Sequence, residues 1–221
     1  ETTYPWLTRV FTYPHATVRL NFFRVTAWQG EPHPHEGQQF SWQAAQAVSV
    51  TPLLSANAPI IHALELPPLY AISNVKELGE IEFLQRLEAA LHKGLRLVQL
   101  REKNLSRDEL RALALKMLPL MRRHGARLLL NADIELAREV GADGVHLNAA
   151  QLASLLQRPD LPWCAASCHN AEELGRAQAL GCDFAVLSPV MPTLSHPGEP
   201  ALGWERFSEI AGGSAMPVYA L

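Results

Sequence analysis

From residue 69 onward the chain alternates short apolar runs with amphipathic stretches, and this beat limits the fold more than any other feature. The apolar runs fall at residues 69–72, 97–100, 127–130, 144–147, 163–167, 184–187 and 217–220. Between most of them apolar residues recur at three- and four-residue spacing, as in Ile81, Leu84, Leu87 and Leu91, then Leu110, Leu113, Leu115, Met117 and Leu118, the period of a helix with one buried face. Short apolar strands separated by such helices imply a parallel sheet covered on both faces. Gly94, Gly125, Gly141 and Gly181 each stand shortly before a strand, where a helix needs a left-handed cap residue. The pattern predicts an α/β chain built as an incomplete (β/α)8 TIM barrel of about seven strands. An open doubly wound sheet is the alternative, and the lack of a Gly-rich dinucleotide loop after the first strand argues against it.

Polar residues gather at the C-terminal ends of these strands: Ser73, then Gln99, Arg101 and Lys103, Asn131, His146 and Asn148, Ser167 and His169, and Ser188. In a closed barrel those ends converge on one rim, where such barrels carry their sites. Strands must end in something polar, which accounts for any one of these positions. It accounts poorly for a guanidinium, an ammonium, amides and imidazoles on the same rim. Gln99, Arg101 and Lys103 alternate along an extended segment, so their side chains share one side. Arginine offers a fork and lysine a point charge, a pairing that suits a diphosphate. A solvated charge cluster is the alternative, disfavoured because the trio emerges from the apolar run LRLVQL.

Residues 1–65 differ in texture from residues 66–221. The first part is rich in aromatic and β-branched residues, as at 18–25 (VRLNFFRV), with its Gly and Pro clustered at 30–37; this predicts a β-rich unit. Pro67-Pro68 follows a stretch that reads as a helix ending near Leu64, and the boundary is placed there. The chain starts at Glu1 and stops on the apolar residues Val218 to Leu221, so it reads as a fragment of a longer protein.

A formal charge of −3 and a pI near 6.3 provide no basic excess to attract a nucleic acid polymer. Small anions remain suitable partners. No run approaches the ~18 apolar residues of a membrane span and no export leader opens the chain, so a cytoplasmic location is expected. Three cysteines, Cys164, Cys168 and Cys182, fit no zinc spacing and are expected as reduced, buried thiols. The composition is compatible with an oligomer and does not specify one.

Five segments, 98–103 (VQLREK), 129–133 (LLNAD), 141–147 (GADGVHL), 166–169 (ASCH) and 187–193 (LSPVMPT), resemble in order and spacing the motifs of the thiamine phosphate synthase/TenI family. The resemblance implies a barrel that joins a pyrimidine diphosphate to a thiazole phosphate with the help of Mg²⁺, or, in the TenI branch, shifts a proton on the thiazole phosphate. It implies that Gln99, Arg101 and Lys103 hold the diphosphate, with Lys103 also a catalytic candidate. Asn131 would contact the pyrimidine, and Ser167 and Thr193 would line the pocket. His169 would serve as acid/base, since an imidazole titrates near neutral pH. The family's metal-holding aspartates fall at Ala132 and Gln151, its usual lysine falls at His196, and Asp133 stands beside Ala132. Neither alanine nor glutamine replaces an anionic oxygen on Mg²⁺.

Residues 1–65 resemble the C-terminal half of a MutT-type Nudix hydrolase, in Tyr13-Pro14, 20–22 (LNF), 28–32 (WQGEP), 36–38 (EGQ), Ala56-Asn57 and Pro59-Ile60. The resemblance implies a partial Nudix α+β unit ahead of the barrel, with Glu36 as a Mg²⁺ ligand and Asn57 as the amide that reads an oxidised purine nucleotide. The Nudix signature helix is not within these residues, so hydrolysis by this chain is not expected. Three roles are open at this point for the parent: thiazole and thiamine phosphate chemistry, nucleotide-pool cleaning with a binding-only barrel, or a barrel that supports assembly.

Overall fold

The computed structural model describes residues 2–37, 39–192 and 201–221. Strands β1 (Thr2–Tyr13) and β2 (Ala16–Ala27) form an antiparallel hairpin, longer than residues 18–25 alone suggested. Its two-residue connection at Pro14-His15 brings the strands back on themselves. Leu7 of the hairpin is buried against Ile60 and Ala63 of α1 (Ala58–Leu64). Pro59 lies in the first turn of this helix, where a missing backbone donor costs nothing.

The rest is a repeating strand-and-helix unit. Strands β3 (Ala71–Ile72), β4 (Leu97–Leu100), β5 (Arg127–Asn131), β6 (Gly144–Leu147), β7 (Trp163–Cys168), β8 (Phe184–Leu187) and β9 (Val218–Ala220) lie in one parallel sheet. Between them run α2 (Val75–Leu78), α3 (Glu80–His92), α4 (Arg107–Arg123), α5 (Ile134–Val140), α6 (Ala149–Ser154), α7 (Ala171–Leu180) and α8 (Gly203–Ala211). The order in the sheet is the order in the chain, β3 through β9. A doubly wound sheet would reverse direction partway, so that alternative is excluded. The first strand is shorter than residues 69–72 because Leu69 stays exposed and only Ala71 and Ile72 pair with β4.

Alternation along the strands divides the core in two. Val98, Leu100, Leu128, Leu130, Val145, Leu147, Cys164 and Ala166 point outward into the layer beneath the helices. Leu97, Leu129, Trp163, Ala165, Phe184 and Val186 point inward and meet one another, together with Leu66. A flat sheet could not bring these inward residues into one cluster. The sheet therefore curls, and the Tyr70 ring beside β3 lies 5.8 Å from that of Tyr219 in β9. The Tyr219 hydroxyl donates to the Pro67 carbonyl, bridging the seam between the first and last strands.

Local caps hold the helices in phase. Ser106 and Glu109 form a reciprocal capping box on α4, and Asn148 and Gln151 do the same on α6. Gly141 and Gly181 end α5 and α7 in the left-handed region, where a Cβ would be strained. At the N-terminal mouth of the barrel, His62 of α1 stacks on Trp163 at 4.2 Å and meets Asp183 at 3.2 Å, while Arg127 pairs with Glu65 at 2.6 Å. All three cysteines are buried and free.

Candidate functional site

The C-terminal strand ends open into a cavity of about 630 Å³. Gln99, Arg101, Lys103, Asn131, Ser167 and His169 all line it. Ser73, His146, Asn148 and Ser188 join them from the same rim. Thr193 and His196 lie outside the described residues. Glu36 and Asn57 are not on this rim: Glu36 is exposed in the segment after β2, and Asn57 is half-buried just before α1. Helix α1 packs at the opposite mouth through His62 and Glu65.

Backbone register explains how Gln99, Arg101 and Lys103 face one way. Gln99 points inward from β4, as Leu97 does, is 2% exposed, and its amide donates to Asn131 at 3.3 Å. Beyond the strand end, Ser73 accepts from the Arg101 backbone amide at 2.9 Å and holds the segment extended. Glu102 turns the other way, is buried, and accepts from the Val75 and Lys76 backbone amides at the start of α2. Among the described residues, neither the Arg101 nor the Lys103 side chain has a carboxylate partner at ion-pair distance. Among the described residues, two cations thus stand beside the cavity without acidic partners, an arrangement suited to an anion.

Two histidines behave differently. His169 is partly exposed, and Glu173, one helical turn on, accepts both from its backbone amide at 2.8 Å and from its Nδ1 at 2.9 Å. Among the described residues, that pairing leaves Nε2 without a hydrogen-bond partner on a ring that lines the cavity. His146 is 2% exposed, with Nε2 2.9 Å from the Ser167 hydroxyl and Nδ1 3.1 Å from the Tyr70 hydroxyl. Burial, aided by the Arg101 charge, lowers its pKa from 6.5 to about 3, so this imidazole is neutral near pH 7.

Among the described residues, no group of three or more His, Cys, Asp or Glu converges as a metal site would. Ala132 and Gln151 meet each other, the glutamine amide donating to the Ala132 carbonyl at 2.6 Å. Asp133 is committed elsewhere: it accepts from the Leu136 amide at 2.8 Å as the cap of α5 and pairs with Arg107 at 3.3 Å. Mg²⁺ takes anionic oxygens at close range, and among the described residues the side chains at 132 and 151 offer none.

The trio, Asn131, Ser167 and His169, singled out in the sequence, all lie around one cavity. Sequence reading missed Tyr70 and Glu173. Tyr70 reads as an ordinary strand residue until the curl of the sheet brings it to His146. Glu173 was detectable as an acid four positions after His169 at the start of a helix.

Residues 69–221 match the family model described as thiamine monophosphate synthase. The chain belongs to the thiamine monophosphate synthase family. A thiamine-phosphate synthase-like protein of Aquifex aeolicus is 41% identical over 160 residues, covering 72% of this chain and 86% of that protein. The thiamine-phosphate synthase of Thermosynechococcus vestitus is 32% identical over 180 residues, 80% of this chain and 49% of that one. Among solved structures, a thiamine phosphate pyrophosphorylase from Pyrococcus furiosus aligns with a TM-score of 0.57 at 25% identity, covering 69% of this chain and 73% of the other. The family's barrel and the curled sheet described above are thus the same architecture.

Proposed function

We propose that the barrel is a thiamine-phosphate-synthase-like module that binds phosphorylated thiazole and pyrimidine precursors of thiamine at its C-terminal rim. The observation that carries this is the pair Arg101 and Lys103, cations without acidic partners among the described residues, beside the amides of Gln99 and Asn131 in one cavity. The cations meet phosphate oxygens, and the two amides offer both donors and acceptors to a heteroaromatic ring. His169, held through Nδ1 by Glu173, carries the acid/base role toward the bound ring.

This reading makes phosphate binding independent of a metal. Titration calorimetry with thiazole phosphate and with pyrophosphate should give the same affinity in EDTA and in Mg²⁺. Arg101→Ala should weaken pyrophosphate binding by about 10- to 100-fold, the worth of a charge-assisted fork. Thiamine phosphate formation from the two precursors with Mg²⁺ should be weak, since no carboxylate stands at positions 132 and 151. Binding that survives Arg101→Ala would refute the assignment, and robust synthesis by the unmodified chain would refute the argument that the missing carboxylates matter.

For residues 1–65 the reading is the tail of a Nudix unit, supported by the sequence motifs at 28–32, Glu36 and Asn57. In the parent protein Glu36 would help hold Mg²⁺ and Asn57 would read the oxidised purine. A parent that releases pyrophosphate from 8-oxo-dGTP should lose preference over dGTP on Asn57→Ala; unchanged selectivity would remove Asn57 from that role. A barrel that binds ligand without forming product would leave nucleotide cleaning as the parent's chemistry.

A further inference from the structure

We propose that Tyr70 and His146 form a relay that sets Ser167 as a hydrogen-bond donor to the ligand and not as a nucleophile. The inference rests on the reading of the rim cavity as a ligand site. Three groups stand in line: the Tyr70 hydroxyl 3.1 Å from His146 Nδ1, and His146 Nε2 2.9 Å from the Ser167 hydroxyl, which faces the cavity. A serine beside a histidine invites the opposite assignment, in which the imidazole takes the serine proton. The geometry permits only one direction of hydrogen bonding without loss.

A neutral imidazole has one donor and one acceptor nitrogen. Burial favours the neutral ring at His146 and also holds the Tyr70 phenol protonated. If Nδ1 carried the proton, it would donate to the Tyr70 oxygen, and the phenol's own hydrogen would need another acceptor. Among the described residues the Tyr70 hydroxyl has no other hydrogen-bond partner. Its ring is walled by Phe184 and Tyr219 at 5.2 and 5.8 Å, and an unpaired donor in such a place is costly. Tyr70 therefore donates to Nδ1, Nε2 carries the proton, and Nε2–H donates to Ser167. The serine oxygen is then an acceptor from below, and its own hydrogen is left for a ligand atom in the cavity. The acceptor nitrogen of His146 faces Tyr70, so no base stands beside Ser167. Tyr70 and His146 are positioning residues in this scheme.

Nitrogen-15 spectra of the imidazole in the unliganded 221-residue chain decide the tautomer without any substitution. The expected result is a proton on Nε2 of His146 and a bare Nδ1 from pH 6 to 8; a proton on Nδ1 overturns the relay. Calorimetry with thiazole phosphate then tests the consequence. Tyr70→Phe and Ser167→Ala should each lower affinity by roughly 5- to 30-fold, the range for one lost hydrogen bond. The double variant should be no worse than Ser167→Ala alone, because the phenol acts through the serine. Additive losses would overturn that coupling, as would labelling of Ser167 by a fluorophosphonate, which reports an activated nucleophile. A wild-type chain that ignores thiazole phosphate would count against the proposed function, while the imidazole spectrum still decides the relay.

Discussion

Holding His146 neutral inside the barrel makes the fold sensitive to acid, and the size of the effect follows from the structure. The unfolded imidazole takes its proton near 6.5, whereas the buried ring resists protonation until about 3. Between those values the unfolded chain binds one more proton than the folded chain, so stability falls as pH falls. The contribution is complete above 6.5 and is lost progressively toward pH 3. At pH 5 the unfolded side gains a factor of roughly 30 in its binding polynomial, or about 2 kcal/mol at 0.59 kcal/mol per natural-log unit. Urea unfolding of the wild type and of His146→Gln, at pH 8, 6.5 and 5, isolates this term, because every other titrating group is shared. The glutamine variant is expected to be the less stable protein at pH 8, with the gap closing by about 2 kcal/mol at pH 5. A gap that stays constant within about 0.5 kcal/mol would refute the argument that burial keeps this imidazole neutral.

Two further outcomes follow from particular residues. Ala132 has φ of 61°, a left-handed conformation that costs an alanine about 1 kcal/mol, so Ala132→Gly should raise the urea midpoint by the equivalent of about 1 kcal/mol; no change would mean the strain is absent. The Asp183 hydrogen bond raises the pKa of His62. The stability this pair adds is therefore full below 6.5 and is lost as pH rises through the folded value. His62→Gln should accordingly cost more at pH 6 than at pH 9, and a cost independent of pH in chemical denaturation would exclude the charged pair.

Much of the barrel was legible because its strands are buried on both faces and read as short apolar runs. Residues 97–100, 144–147 and 184–187 were delimited as the structure has them, since the helices on either side end in caps that sequence also shows, such as Gly141 and Gly181. The hairpin was less legible. Its two strands expose most of their side chains, so the pattern at residues 18–25 marked one strand and left its pairing with Thr2–Tyr13 to tertiary structure. The candidate site divides in the same way. Arg101 and Lys103 announce themselves by charge at the end of an apolar run, whereas the polarity of Ser167 depends on Tyr70, 97 positions away by number, and only the curl of the sheet connects them. Asp133 shows the converse limit: its carboxylate was available in the sequence but is consumed by the α5 cap and Arg107.

The winding of the sheet in chain order bears on how the protein folds. Each new strand pairs with the strand made just before it, and the paired residues, from Leu129 with Gly144 to Ala185 with Val218, are 15 to 33 positions apart. Loops of similar, modest length carry similar closure entropies, because that cost rises only with the logarithm of length. No strand must wait for a distant one to arrive, apart from the seam where Tyr219 reaches Pro67. The sheet can grow by addition at its edge, one hydrogen-bonded neighbour at a time, and hydrogen exchange should find the middle strands protected first during refolding and the seam last.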